Sequence, residues 1–126
     1  MSSKRRWAGI ILSGLVVLFL LLDGASHVMA PAPVVEAFQH LGIPPGLAVP
    51  LGIVELVCIA IYVFPRTSVL GAVLLTGYLG GAVASHLRVG DPVFSTVFPV
   101  LIGVLLWGGL YLRDPRLRIL IERKEK

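Results

Sequence analysis

Four long apolar stretches, separated by short segments rich in proline and glycine, dominate the sequence. They cover residues 7–22 (continuing past Asp23 to about residue 29), 47–64, 67–87 and 92–112. An α-helix rises about 1.5 Å per residue, so about 20 residues cross the roughly 30 Å hydrocarbon core of a bilayer. The third and fourth stretches reach that length without any Asp, Glu, Lys or Arg, whereas the first and second include Asp23 and Glu55.

These stretches are too long for β-strands, and their Gly, Ala and Leu content is typical of helices in lipid. The pattern predicts an all-α, four-helix transmembrane bundle that forms a single domain over residues 1–126. We expect its helices at about residues 7–29, 47–64, 67–87 and 93–112. A short helix over residues 34–41 is expected in the outer segment 30–46, and Pro99 lies inside the fourth helix.

Basic residues lie almost entirely at the ends of the apolar stretches. With four spans, the two chain termini and the loop at Arg66 all lie on one side of the membrane. The positive-inside rule assigns this basic side to the cytoplasm, so both termini are expected there. This distribution differs from the basic and aromatic surface of a nucleic-acid binder, so membrane lipid is the expected partner. Ten of the 11 basic residues form three groups: Lys4, Arg5 and Arg6; Arg66; and Arg113, Arg116, Arg118, Arg123, Lys124 and Lys126.

The composition supports a membrane protein and excludes one class of chemistry. Apolar residues make up 56% of the 126 residues and charged residues only 14%, against about 25% in soluble domains. Cys58 is the single cysteine, so no disulfide can form within the chain and dithiol redox chemistry by this chain alone is excluded.

The first apolar stretch also resembles a secretory signal peptide. Three basic residues precede it, and Val28, Met29 and Ala30 form a candidate cleavage site. The apolar core is long for a signal peptide, and Pro31 would directly follow the cut. We therefore expect a retained transmembrane helix.

Glu55 is the residue most informative about function. An acidic side chain near the centre of a transmembrane helix costs about 2.5–3.5 kcal/mol, so it is expected to face the bundle interior and to find a partner. The third helix runs in the opposite direction, which brings Thr76 or Tyr78 to the same depth. We expect the Tyr78 hydroxyl to bond Glu55, either in a ligand- or proton-binding site or as a structural contact between helices.

Four further polar residues are expected near the outer ends of the first and third helices. Asp23 and His27 are four residues apart on one helix face, and His86 and Arg88 follow at the end of the third helix. They could form an outward-facing polar pocket above Glu55 for the head group of a small molecule. The alternative is a set of interfacial side chains, with Arg88 reaching lipid phosphates.

Glu36 and His40 repeat the carboxylate–imidazole spacing of Asp23 and His27. The two pairs could together form a site with two histidine and two carboxylate ligands. However, nothing in the sequence fixes the pairs together, and no strong metal-ligand motif is present. Solvated contacts on a helix face are the favoured interpretation, and no metal is expected.

The third helix contains two ridges of small residues, which allow close helix approach. Packing inside the bundle is the favoured interpretation, and homodimerisation is the alternative. The ridges are Gly77, Gly81 and Ser85, and Thr76, Gly80 and Ala84; candidate receiving residues are Gly9, Ser13, Gly108 and Gly109.

The stretches LLTGYLGGAVASHLRVGDP (residues 74–92) and LLWGGLYLRDPRLR (residues 105–118), with the earlier LDG and PAPVVEAF, resemble the DoxX-like family of small bacterial membrane proteins. The likeness covers roughly residues 15 to 120. It implies a four-helix bundle in the bacterial cytoplasmic membrane, with Glu55, His86 and Arg88 at the family's polar positions. The family is named after a subunit of a thiosulfate:quinone oxidoreductase, and most members have no assigned activity. Relatives often carry a lysine where this chain has His27.

Three functions remain open at this point. The first is a non-enzymatic or accessory membrane subunit that binds a quinone or another lipophilic molecule beside Glu55 and could act with a partner membrane subunit. The second is a structural or interaction protein that works through its glycine ridges, for example by forming a homo-oligomer. The third is a small proton-linked carrier, which the nearly apolar inner half disfavours. The sequence requires no cofactor and assigns no catalytic residue.

Overall fold

A computed structural model of the chain describes residues 3–122. Arg123, Lys124 and Lys126, which the topology prediction used, lie outside the described residues. No strand occurs within residues 3–122, and two short 3-10 turns, Pro45–Leu47 and Pro65–Thr67, precede two of the helices. The six helices are α1 (Ser3–Met29), α2 (Ala32–Leu41), α3 (Ala48–Val63), α4 (Ser68–Arg88), α5 (Val93–Arg113) and α6 (Pro115–Glu122).

Four of these helices are long and apolar enough to cross a membrane. With their adjoining turns, the candidate spans are Ser3–Met29, Pro45–Val63, Pro65–Arg88 and Val93–Arg113. Apolar side chains cover their outward faces; Leu15 and Val104, for example, are about 60% exposed. The expected all-α transmembrane bundle is confirmed. Below, the end of the bundle at which α1 and α4 finish is called the outer end, in keeping with the expected topology.

The helices are arranged as a square, in which α1 and α4 each pack mainly against α3 and α5. The core residues between them are almost entirely buried and concentrate at the inner half, around Tyr62. The Tyr62 hydroxyl donates to the Leu106 carbonyl at 2.8 Å and meets the Ser13 hydroxyl at 3.0 Å. Arg113 also donates to Ser13, at 2.9 Å. The inner half therefore contains a polar cluster that the sequence did not reveal.

Small residues bring α1 against α5 and α3 against α4. A Cβ atom on Gly9 would lie 2.8 Å from the Gly109 carbonyl oxygen, and one on Gly71 would lie 2.3 Å from the Tyr62 backbone nitrogen. Any side chain at Gly9 or Gly71 would therefore collide with backbone of the neighbouring helix.

The two ridges of small residues on α4 were predicted to pack inside the bundle, and this prediction is wrong for the glycines in them. A Cβ atom at Gly77, Gly80 or Gly81 would meet no neighbouring atom within 4 Å. The Ser85 hydroxyl donates to the Gly81 carbonyl of its own helix at 2.9 Å rather than to another helix. Small residues permit close approach but do not require it, and here they leave open space beside α4.

Helix α6 was not anticipated, because its basic residues look like a charged tail. Asp114 accepts a hydrogen bond from the Arg116 backbone N–H at 2.9 Å, which is the contact of a helix N-cap. The Arg116 side chain beside Asp114 also lowers the pKa of that carboxyl. Arg118 donates to the Tyr111 carbonyl at 2.6 Å and so satisfies the end of α5.

Candidate functional site

The outer half of the bundle contains a cavity of about 640 Å³. It lies between α1 and α4, the diagonal pair of the square. Small side chains on α4 provide the space, and aromatic side chains of α1 and α5 form much of the opposite walls. The principal lining residues on these walls are Gly77, Gly81, Ala82, Ser85, Phe19, Phe94, Phe98 and Pro99.

A compact polar group closes one end of this apolar cavity. The Tyr78 hydroxyl donates to Glu55 Oε1 at 3.0 Å, which confirms the predicted bond, and it lies 3.3 Å from His27 Nδ1. His27 Nδ1 is 3.5 Å from Glu55 Oε1 and 3.9 Å from Asp23 Oδ2. The sequence placed His27 in a pocket above Glu55, whereas the structure brings the two side chains into direct contact.

Glu55 is fully buried, and only one of its carboxylate oxygens is satisfied. Oε2 has no hydrogen-bond partner anywhere in residues 3–122. A buried carboxylate oxygen without a partner is costly in an apolar environment. The site therefore presents an acceptor that a proton, a cation or a donor group of a ligand can satisfy.

Helix α2 covers the outer end of the cavity. Phe38 is buried, and its ring stands edge-on to the His27 imidazole with 5.3 Å between the centroids. His40 Nε2 lies 2.5 Å from Asp91 Oδ1, in the loop that joins α4 to α5. Arg88 donates to the Leu41 carbonyl at the end of α2. These contacts hold α2 over the polar group.

Asp91 joins two histidines from different parts of the chain. His86 Nδ1 lies 2.6 Å from Asp91 Oδ2, while His40 occupies the other oxygen. Hydrogen bonds from His40 and, to a lesser extent, from His86 lower the pKa of the Asp91 carboxyl. Asp91 was not among the predicted site residues, although its position five residues after His86 was an available signal.

The structure divides the predicted site residues into two groups. Asp23, His27, Glu55, Tyr78 and His86 all line the cavity. Arg88 is absent from that lining and instead binds the end of α2.

The site of two histidines and two carboxylates, which the sequence allowed but did not favour for Asp23, His27, Glu36 and His40, is not formed. His40 binds Asp91, and Glu55 takes the place beside Asp23 and His27. The carboxylate beside Asp23 and His27 comes from α3, because α1 packs directly against α3. Helix α2 instead places His40 against the α4–α5 loop. The aromatic residues Phe38, Phe94 and Phe98 also line the cavity without having been predicted, since nothing in the sequence separates them from lipid-facing positions.

Comparison with known proteins agrees with the motifs in α4 and α5. A search of curated proteins and a search of solved structures each gave no significant match. The family model of the DoxX-like family matches residues 11–109, which is most of the chain and includes all four spans in whole or in large part. The chain therefore belongs to the DoxX-like family.

Proposed function

We propose that this chain binds a lipophilic small molecule in the outer cavity, with the head group of the molecule against Glu55, Tyr78 and His27. The observation that carries the proposal is the cavity itself: about 640 Å³ of mostly apolar space with its polar groups gathered at one end. Small-molecule sites typically have this size and this division between apolar walls and a few convergent polar groups. An amphiphile fits such a shape with its tail along Phe94 and Phe98.

A quinone is the ligand class that we favour. Its ring carries two opposite oxygens. They accept hydrogen bonds in the oxidised quinone, and as hydroxyl groups they donate hydrogen bonds in the reduced quinol. The cavity offers both kinds of partner, because the His27 imidazole can donate or accept and the Glu55 carboxylate accepts. The unsatisfied Oε2 of Glu55 favours the reduced, donating form.

We further propose an accessory role in the bacterial cytoplasmic membrane, with both chain termini in the cytoplasm. The distribution of basic residues supports this orientation. In this role the chain holds a lipophile for a partner membrane subunit, and we assign no catalytic residue. A carrier is less well supported, because the buried core around Tyr62 fills the inner half below the cavity.

Photo-crosslinking with a quinone carrying a diazirine on its tail tests this proposal in lipid nanodiscs. We expect adducts on the cavity residues Ser85 and Phe98, and we expect excess decylubiquinone to suppress them. Leu70 and Val73 on α4 are exposed outside the cavity and report contact with bulk lipid. Adducts spread over those outward residues, without competition by decylubiquinone, would reject quinone binding in the cavity.

A structural role through the second ridge of α4 is the alternative, and one observation favours it. Gly80 is exposed, does not line the cavity, and has no neighbour within 4 Å of its Cβ position. A second copy or a partner helix could pack there. A change of oligomeric state in Gly80→Leu, measured by light scattering in detergent, would support that role, and an unchanged state would count against it.

A further inference from the structure

Asp23, His27 and Glu55 meet at the polar end of the cavity. One candidate ligand atom from each residue lies within 4.8 Å of those from the other two. These residues come from two helices that pack directly against each other, α1 and α3. Their positions are therefore fixed by the packing of the bundle rather than by a mobile loop.

The charges of this group call for a positive partner. Two carboxylates, Asp23 and Glu55, share the group with a single imidazole, and no Lys or Arg lines the cavity. His86, the other basic side chain of the lining, is already bound to Asp91 at 2.6 Å. Two carboxylates in a partly desolvated site need a proton or a cation to be stable.

An independent observation points the same way. Glu55 is 0% exposed, yet its Oε2 has no hydrogen-bond partner among residues 3–122. Its other oxygen already accepts from Tyr78. Glu55 therefore has one oxygen without a partner, while the oxygen that Tyr78 holds lies 3.5 Å from His27 Nδ1. Carboxylates that bind metals are held by outer hydrogen-bond partners in the same way.

We propose that Asp23, His27 and Glu55 bind a divalent transition-metal ion of the zinc type. One nitrogen and two carboxylate ligands suit such an ion, whereas Ca²⁺ and Mg²⁺ require about six oxygen ligands. Tetrahedral bonds of about 2.0–2.2 Å put ligand atoms about 3.3 Å apart. His27 Nδ1 lies 3.5 Å from Glu55 Oε1 and 3.9 Å from Asp23 Oδ2, and the three ligand atoms all lie within 4.8 Å of one another, so the side chains must move closer together to complete the geometry. Because all three residues line the cavity, the fourth position of a bound ion would face it.

Zn²⁺ binding by the full chain in nanodiscs tests the proposal. The protein is stripped with a chelator and titrated with Zn²⁺ alone at pH 7 by isothermal calorimetry. We expect one ion per chain, and binding about 100-fold weaker in Asp23→Asn. Asp23 is partly exposed, so that variant is expected to fold, which its melting temperature checks.

Two further variants locate the bound ion and separate it from the lipophile. Glu36→Gln changes a carboxylate on α2 outside the group and is expected to leave Zn²⁺ binding unchanged. Gly81→Leu is expected to retain Zn²⁺ while losing the lipophile, so the metal site and the proposed function, which share the polar end of the cavity, can fail separately. No Zn²⁺ binding by the natural chain would mean that protons alone neutralise the carboxylates, and equal binding by Asp23→Asn would mean that the ion binds elsewhere. Either result would overturn the proposal.

Discussion

Replacing Gly71 with alanine is expected to destabilise the bundle by about 3 kcal/mol or more, at the upper end of overpacking effects. The added Cβ atom would lie 2.3 Å from the Tyr62 backbone nitrogen and 2.4 Å from its Cα atom. Backbone cannot rotate away as a side chain does, so α3 and α4 must separate. That separation disturbs the buried Tyr62 hydroxyl and its bonds to Leu106 and Ser13. Unfolding in mixed detergent micelles, followed by circular dichroism, measures the loss.

Gly77→Ala is the matched control for this substitution, because Gly77 lies in the same helix and has no neighbour within 4 Å of its Cβ position. Alanine has the higher helix propensity, so this variant is expected to be unchanged or more stable by up to about 1 kcal/mol. Equal destabilisation by the two substitutions would show that the close contact of α3 with α4 does not set the stability of the bundle.

Replacing Gly81 with leucine is expected to lower retention of a lipophile at least tenfold while leaving the protein folded. Gly81 lines the cavity, and no atom outside its own stretch of helix lies within 4 Å of its Cβ position. The leucine side chain is therefore expected to start in open space and to extend into the cavity. It would then occupy the volume needed by a ligand beside Tyr78. The amount of decylubiquinone bound to protein in nanodiscs, measured by mass spectrometry after extraction, gives the result.

Gly80→Leu provides the control for Gly81→Leu. The two glycines are adjacent in α4 and equally open, but only Gly81 lines the cavity. Leucine at residue 80 adds the same side chain to the outside of the bundle and is expected to leave binding unchanged. If both variants bind as much ligand as the natural chain, the cavity is not the binding site.

Much of the site could be predicted because helical geometry is regular. A constant rise per residue and alternating helix direction place Tyr78 at the depth of Glu55, and the two side chains are hydrogen-bonded at 3.0 Å. The spacing of Asp23 and His27 likewise put them on one face. The cost of burying a carboxylate in lipid then identified Glu55 as the centre of any polar site.

The remaining features depend on packing that periodicity does not encode. The ridge at Gly77 and Gly81 could face another helix or a cavity, and the sequence pattern is the same in both cases. His40 and Asp91 are 51 residues apart and meet only because α2 lies over the α4–α5 loop. The choice of Glu55 over Glu36 as the partner of His27 similarly follows from the packing of α1 against α3.

The Glu55→Gln substitution tests whether the cavity holds a lipophile through the Glu55 carboxylate. Glutamine keeps an oxygen that can accept from Tyr78, so the helices stay connected, but it removes the negative charge. Lipophiles that co-purify in a mild detergent are quantified per chain by mass spectrometry for the natural protein, Glu55→Gln and the control Glu36→Gln. We predict about one specific lipophile per chain in the natural protein and the control, and at least a tenfold loss in Glu55→Gln. The same bulk lipids in equal amounts in all three samples would show that Glu55 does not hold a lipophile in the cavity.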